Sequence, residues 1–175
     1  GISYQTVKGY FQILEDTLVG FFLQPYARSL RRRLIQHPKF YFFDTGVTRA
    51  LQKTIGVELQ PKTYEYGRAF EHFVILEIMR LASYKEADFR FSFYRTSNGA
   101  ETDLIIETPL KKTFAVEIKA SDQPETEALS GLSSFKETCS DAVLLCASNT
   151  TQRRNIGDVT ILPWPHKDTD LVRFD

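Results

Sequence analysis

Asp103, Glu117 and Lys119 lie on two neighbouring stretches that read as the strands of one hairpin. In Thr113-Phe114-Ala115-Val116-Glu117-Ile118-Lys119 the side chains alternate, so Phe114, Val116 and Ile118 share one face while Glu117 and Lys119 share the other, open one. Asp103 stands near the start of the partner stretch, residues 102–107. Antiparallel pairing across a turn at 109–112 brings it to the end that carries Glu117-Ile118-Lys119. Two carboxylates and one ammonium then converge. Carboxylates held together repel, and a hard divalent cation with oxygen ligands, Mg²⁺ or Mn²⁺, between Asp103 and Glu117 relieves that repulsion.

The elements that must hold these residues follow from the same periodicities. Residues 89–95 alternate as a strand, and Ser97-Asn98-Gly99 is a hairpin signal before the Asp103 strand, which gives a three-stranded meander. Upstream, residues 64–82 form the longest helical pattern, with Phe70, Phe73, Val74, Ile78 and Leu81 making a broad buried surface. Glu71 falls in that apolar company, where a carboxylate requires a cation, a hydrogen bond or a raised pKa. Gly67, one turn earlier, leaves room for backbone or ligand. Downstream, residues 125–139 read as a helix, 142–147 as a buried strand of the parallel kind, and 159–162 as one more strand.

The front of the chain has a different character. Ser3 is an N-cap for a helix over residues 4–16, and strands are expected at 18–24 and 39–43 with Arg28, Arg31, Arg32 and Arg33 between them. A helix, two strands and a basic connection form the back half of a winged helix, whose cations could meet phosphates. With the front half missing, the chain is expected to be part of a longer protein. A short helix at 48–54 and a connection at 55–62 containing Gly56 and Pro61 place a boundary there, which divides the chain into 1–60 and 61–175.

Net charge is zero from 22 basic and 22 acidic residues. Residues 1–60 nevertheless hold 8 Lys/Arg against 4 Asp/Glu, and the remainder 14 against 18. A basic front end suits nucleic acid, and it equally suits a plain solvated helix face. No run of about 18 apolar residues and no export pattern occurs, so neither membrane nor secretion is expected and a cytoplasmic location is the default. Cys139 and Cys146 match no metal or disulfide spacing and read as small buried hydrophobes.

Helix-borne Glu71, then Asp103, then Glu117-Ile118-Lys119, followed by a helix and a strand, resembles the PD-(D/E)XK nuclease superfamily. More narrowly, Leu14-Glu15-Asp16-Thr17, Lys39 through Gly46, Gly67-Arg68-Ala69-Phe70-Glu71, and Tyr94-Arg95 with Glu101-Thr102-Asp103 resemble the domain that follows the P-loop core in a group of prokaryotic AAA-type ATPases. The resemblance implies an α/β (α+β) fold, a mixed sheet with an α-β-β-β-α-β restriction-endonuclease-like core preceded by the partial winged-helix segment. The implied activity is Mg²⁺- or Mn²⁺-dependent hydrolysis of phosphodiester bonds, in DNA before RNA. Asp103, Glu117, Glu71 and the Ile118 carbonyl would hold the ion, Lys119 would orient the attacking water, and Arg95 would grip the phosphate. Arg31, Arg32 and Arg33 would bind the nucleic acid backbone. The superfamily often carries a Gln on the helix after its ExK strand; residues 125–139 have none, and Lys136 is the nearest polar candidate. No G-x-x-x-x-G-K-[ST] loop occurs, so the ATPase core, the expected partner, would lie outside these residues. An oligomer is compatible with that arrangement.

Two other functions use the same residues. One is a non-catalytic module that binds nucleic acid or regulates the ATPase; the other is a protein-interaction domain. In both, Lys119 bridges Asp103 or Glu117 on a solvated sheet face, and Glu71 pairs with Arg68 or Arg95.

Overall fold

A computed structural model describes residues 1–27 and 37–164. Arg28, Arg31, Arg32 and Arg33 and the segment from residue 165 onward lie outside them. Helix α1 (Tyr4–Asp16) starts at Ser3, whose hydroxyl accepts the Thr6 N–H. Strands β1 (Gly20–Pro25) and β2 (Lys39–Phe42) form an antiparallel hairpin. The Glu15 carboxylate of α1 accepts the Phe22 N–H at 2.9 Å, which fastens the helix to the hairpin. Helix α2 (Thr45–Leu51) begins earlier than the 48–54 pattern because Asp44 caps it, accepting from Gly46 and Val47 N–H.

The long helix α3 (Tyr64–Tyr84), capped by Thr63, buries Val74, Ile75 and Ile78 completely. Phe73, expected inside, is 43% exposed, because the helix presents the neighbouring stripe to the sheet. Strands β3 (Arg90–Arg95), β4 (Glu101–Glu107) and β5 (Thr113–Lys119) form the expected meander. The β3–β4 turn closes with the Thr96 N–H on the Ala100 carbonyl at 2.8 Å and Gly99 at φ +86°, a conformation that a residue without Cβ reaches freely. A 3₁₀ turn (Glu127–Leu129) leads into α4 (Ser130–Thr138). Strands β6 (Val143–Ser148), β7 (Arg154–Ile156) and β8 (Val159–Pro163) follow. Strand β7 pairs Arg154 with Ile161.

All eight described strands form one mixed sheet in the order β2-β1-β3-β4-β5-β6-β8-β7. The α/β fold class expected from the sequence is the one observed. Strands β5, β6 and β8 run parallel and are buried on both faces, as parallel strands require. On one face α3 packs Val74, Ile75 and Ile78 on Leu104, Ile106, Val116 and Ile118. On the other, Leu132 and Phe135 of α4 pack on Ile105, Ala115, Cys146 and Ile161. Each of the Val, Leu, Ile and Phe side chains among them stabilises the fold by about 1.5–3 kcal/mol when fully buried. The connection near residue 60 lies between α2 and α3, and the sheet runs across it, since β1 pairs parallel with β3 at Gln24↔Ser92 and Pro25↔Phe93. Leu23 and Tyr41 share the α3-side core with Phe93. Cys139 and Cys146 are free and buried. No helix among the described residues is long and apolar enough to cross a membrane.

Candidate functional site

The site is created by a fault in the sheet. Between β3 and β4 the register shifts, with Ser92 opposite Ile105 but Tyr94 opposite Thr102, so β4 holds one extra residue there. Strict alternation breaks at the same place: Leu104 packs on the α3 side, while Thr102 lies beside Gly131 of α4. Asp103 is the residue at the break. On its other side the β4–β5 ladder ends at Leu104↔Val116, whereas β5 continues along β6 as far as Lys119↔Ser148. The strands part, and Asp103 fills the opening by accepting the Ile118 N–H on Oδ2 at 2.8 Å. Asp103 and Glu117-Ile118-Lys119 therefore meet as the hairpin reading requires.

The face expected to be open is not. Glu117 is only 4% exposed, and its Oε1 takes the Lys119 ammonium at 2.6 Å. Alternation separates Glu117 from Phe114, Val116 and Ile118, but the opposite face is itself covered, by α4 and its core. Oε2 of Glu117 is buried without a hydrogen-bond partner. Burial and the Asp103 charge push the Glu117 carboxyl up to about 8, against the pull of Lys119. Burial and the Glu71 charge push Asp103 up to about 6, opposed by the Ile118 N–H and by Lys119. The two titrate as one unit. Burial alone would lower the Lys119 ammonium, but Glu117 beside it raises it, so it stays charged.

Glu71 projects from α3 toward the hairpin. Its Oε1 accepts from the Tyr41 hydroxyl at 2.9 Å and lies 3.5 Å from the Lys39 ammonium. Neither Arg68 nor Arg95 is its ion-pair partner: Arg68 lies over the Tyr64 ring, and Arg95 grips Glu101, with Nε and Nη2 at 2.7 and 2.6 Å from Oε2. Glu101 is a hub, since its other oxygen is 2.5 Å from Lys39. Lys39 and Tyr41 are the members of the site that residue-level reasoning missed. Their signal was the polar alternation inside an aromatic strand, Lys39-Phe40-Tyr41-Phe42, which otherwise reads as core. His72 donates Nε2–H to the Phe42 carbonyl at 2.7 Å, and burial lowers its pKa, so it serves the fold. Lys136 points to Asp158 at 3.3 Å. Among the described residues no group of three or more His, Cys, Asp or Glu side chains gathers closely enough to hold a metal ion by itself.

Curated relatives extend well beyond this chain. The uncharacterized proteins Mb2031c of Mycobacterium bovis and Rv2008c of Mycobacterium tuberculosis are each 29% identical over 126 residues, 70% of this chain and 27% of their own length. The chain thus spans about a quarter of the curated relatives that it matches. An assembly of Thermococcus gammatolerans McrB AAA+ hexamers with bound McrC aligns with a TM-score of 0.42 at 10% identity, over 90% of this chain and 60% of that one. Residues 1–58, which carry Lys39 and Tyr41, match a family described as a domain of unknown function, DUF8612. Residues 66–166, which carry Glu71, Asp103, Glu117 and Lys119, match a second domain of unknown function, and by that match over more than half of its length the chain belongs to the DUF4143 family.

Proposed function

We propose that this chain is the nuclease-like module of a longer protein with an AAA-type ATPase core, and that it hydrolyses phosphodiester bonds of nucleic acid with the aid of a divalent cation. The ATPase and PD-(D/E)XK parts of the reading rest on the resemblance of the sequence blocks. The chemical part rests on one observation: Asp103 and Glu117 are buried beside each other at parted strand ends, and Glu117 Oε2 has no hydrogen-bond partner. An orphaned carboxylate oxygen and two carboxyls with raised pKa values are a donor set that a hard cation satisfies. Mg²⁺ or Mn²⁺ would be held by Asp103, Glu117 and the Ile118 carbonyl, with water completing its shell, and Glu71 would act through such a water. When bound, the ion supplies charge stabilisation on the phosphate and a more acidic water. Lys119 holds Glu117 in place and offers its ammonium N–H groups to a water or a phosphate oxygen at the mouth, where it is 33% exposed. Arg95 is 49% exposed and its charge is shared with Glu101, so it steers phosphate rather than clamps it.

Calorimetry with Mn²⁺, followed by cleavage assays on single-stranded and duplex DNA and on RNA, tests this. Wild-type protein is expected to bind the ion and cleave. Asp103→Asn should lose the binding heat, and Glu117→Gln should lose cleavage while staying folded. Absence of wild-type binding heat would remove the metal site from the reading.

A second reading, a non-catalytic module that binds nucleic acid or regulates the ATPase, is favoured by the engagement of Glu71 with Lys39 and Tyr41 and of Arg95 with Glu101. It predicts binding without cleavage. In either case Ala at Arg31, Arg32 and Arg33 should weaken binding at low salt and reduce the salt slope by up to about three, one per lost phosphate contact. An unchanged slope would assign those arginines to a solvated surface.

A further inference from the structure

The carboxylates near the site already have a cation close by, and it comes from outside the DUF4143 match. Lys39 of β2 places its ammonium 2.5 Å from Glu101 Oε1 and 3.5 Å from Glu71 Oε1, over the Phe93 ring at 5.3 Å, with its side chain 22% exposed. Asp103 adds to the negative field at that ammonium. The Tyr41 hydroxyl holds the same oxygen of Glu71 as Lys39 does. Glu71 is thus turned toward the hairpin, and it must loosen from Lys39 before it can turn toward an ion at Asp103 and Glu117. A fixed positive charge also lowers the affinity of a neighbouring carboxylate pair for any second cation.

We propose that Lys39 is a resident counter-cation of this cluster, a positioning residue through which the upstream hairpin holds the site in a state of low affinity for divalent metal. The inference rests on reading Asp103 and Glu117 as cation ligands. The fold supplies the means to vary it. The hairpin joins the rest of the sheet through two residue pairs, Gln24↔Ser92 and Pro25↔Phe93, and the Tyr26 N–H on the Phe93 carbonyl. Every ladder from β3 through β6 to β8 has four or more pairs. A load on α1 or on the hairpin that opens this seam together with the hairpin's contacts to α3 would withdraw Lys39 from Glu71 and Glu101.

The test is Mn²⁺ calorimetry on the full chain with Lys39→Met, Lys39→Gln and Lys39→Arg, each checked for a cooperative melt. The neutral variants should bind Mn²⁺ more tightly, by on the order of tenfold, and Lys39→Arg should bind as wild type does. Lys39→Gln keeps a donor without the charge, so misfolding of the Met variant alone does not close the test. A purely structural lysine gives the opposite sign, since a loosened site binds more weakly. If wild type binds and the folded neutral variants bind equally or less tightly, the role of Lys39 is overturned while the metal site stands. If wild type does not bind but a neutral variant does, the role of Lys39 is supported and the metal-loaded reading of the native chain fails. If none binds, both fall.

Discussion

Asp103 and Glu117 are both raised by burial and by a neighbouring carboxylate, Glu71 for Asp103 and Asp103 for Glu117, and this has a consequence for stability. A carboxyl whose pKa is higher in the folded than in the unfolded chain contributes stability that is complete below the unfolded value, about 4, and is lost as pH rises through the folded values. Without divalent ions the melting temperature should therefore fall from about pH 4 through the pair's values of about 6 and about 8. Asp103→Asn, which keeps an acceptor for the Ile118 N–H, should flatten that fall in a thermal melt series. A slope as steep as wild type in the variant would place the titration elsewhere. Lys119 is the other lever. Glu117 is fully ionised only above its value of about 8, so Lys119→Ala, which leaves that charge buried without its partner, should cost about 3 kcal/mol near pH 9.5. The loss should be clearly smaller at pH 6, where Glu117 takes a proton instead, and a loss equal at both pH values would separate Lys119 from Glu117.

At the scale of elements, the site depends on how closely α4 approaches β4. A Cβ at Gly131 would lie 1.7 Å from the Glu101 carbonyl oxygen, so the helix rests on strand backbone two residues before Asp103. Backbone cannot yield as a flexible side chain does, and overpacking at such a contact costs about 3 kcal/mol. Gly131→Ala should lower the melting temperature by roughly 10 °C, given the sensitivity of chains of this size. It should also weaken Mn²⁺ binding, because the backbone it displaces leads directly into Asp103. A melt within 2 °C of wild type, where about 10 °C is expected, would show that α4 can shift without disturbing β4.

Across the whole molecule, the two family matches meet inside one sheet. Leu23 and Tyr41 from residues 1–58 share a core with Val74 and Phe93 from residues 66–166. Removing the first segment uncovers that part of the core and frees an edge of β3, where unpaired backbone groups invite association. A chain truncated to 61–175 should melt at least about 10 °C lower or self-associate, measurable by calorimetry and light scattering. A monomer with wild-type melting would make the hairpin an independent attachment. Restoring residues 1–60 in trans should not rescue the truncated chain if the shared core forms only during folding.

Much of this organisation is carried by local chemistry. Alternation in residues 113–119 marked a strand, Ser3 marked the start of a helix, Ser97-Asn98-Gly99 a turn, and the hairpin pairing a convergence of Asp103 with Glu117 and Lys119, because each depends on the period or conformational preference of neighbouring residues; Glu71 joined them only through the family resemblance. Alternation assigns opposite faces, but it does not say what covers a face, so the burial of Glu117 had to come from packing. The register shift at β3–β4, which places Asp103 where β4 and β5 part, is a property of strand pairing and has no signature in a single strand. Lys39 and Tyr41 stand more than 60 residues before Asp103, and only the parallel pairing of β1 with β3 brings them to Glu71 and Glu101. Which residue types could do chemistry is written in the sequence; which charges compensate one another is a matter of distance and burial, and those were decided by the tertiary structure.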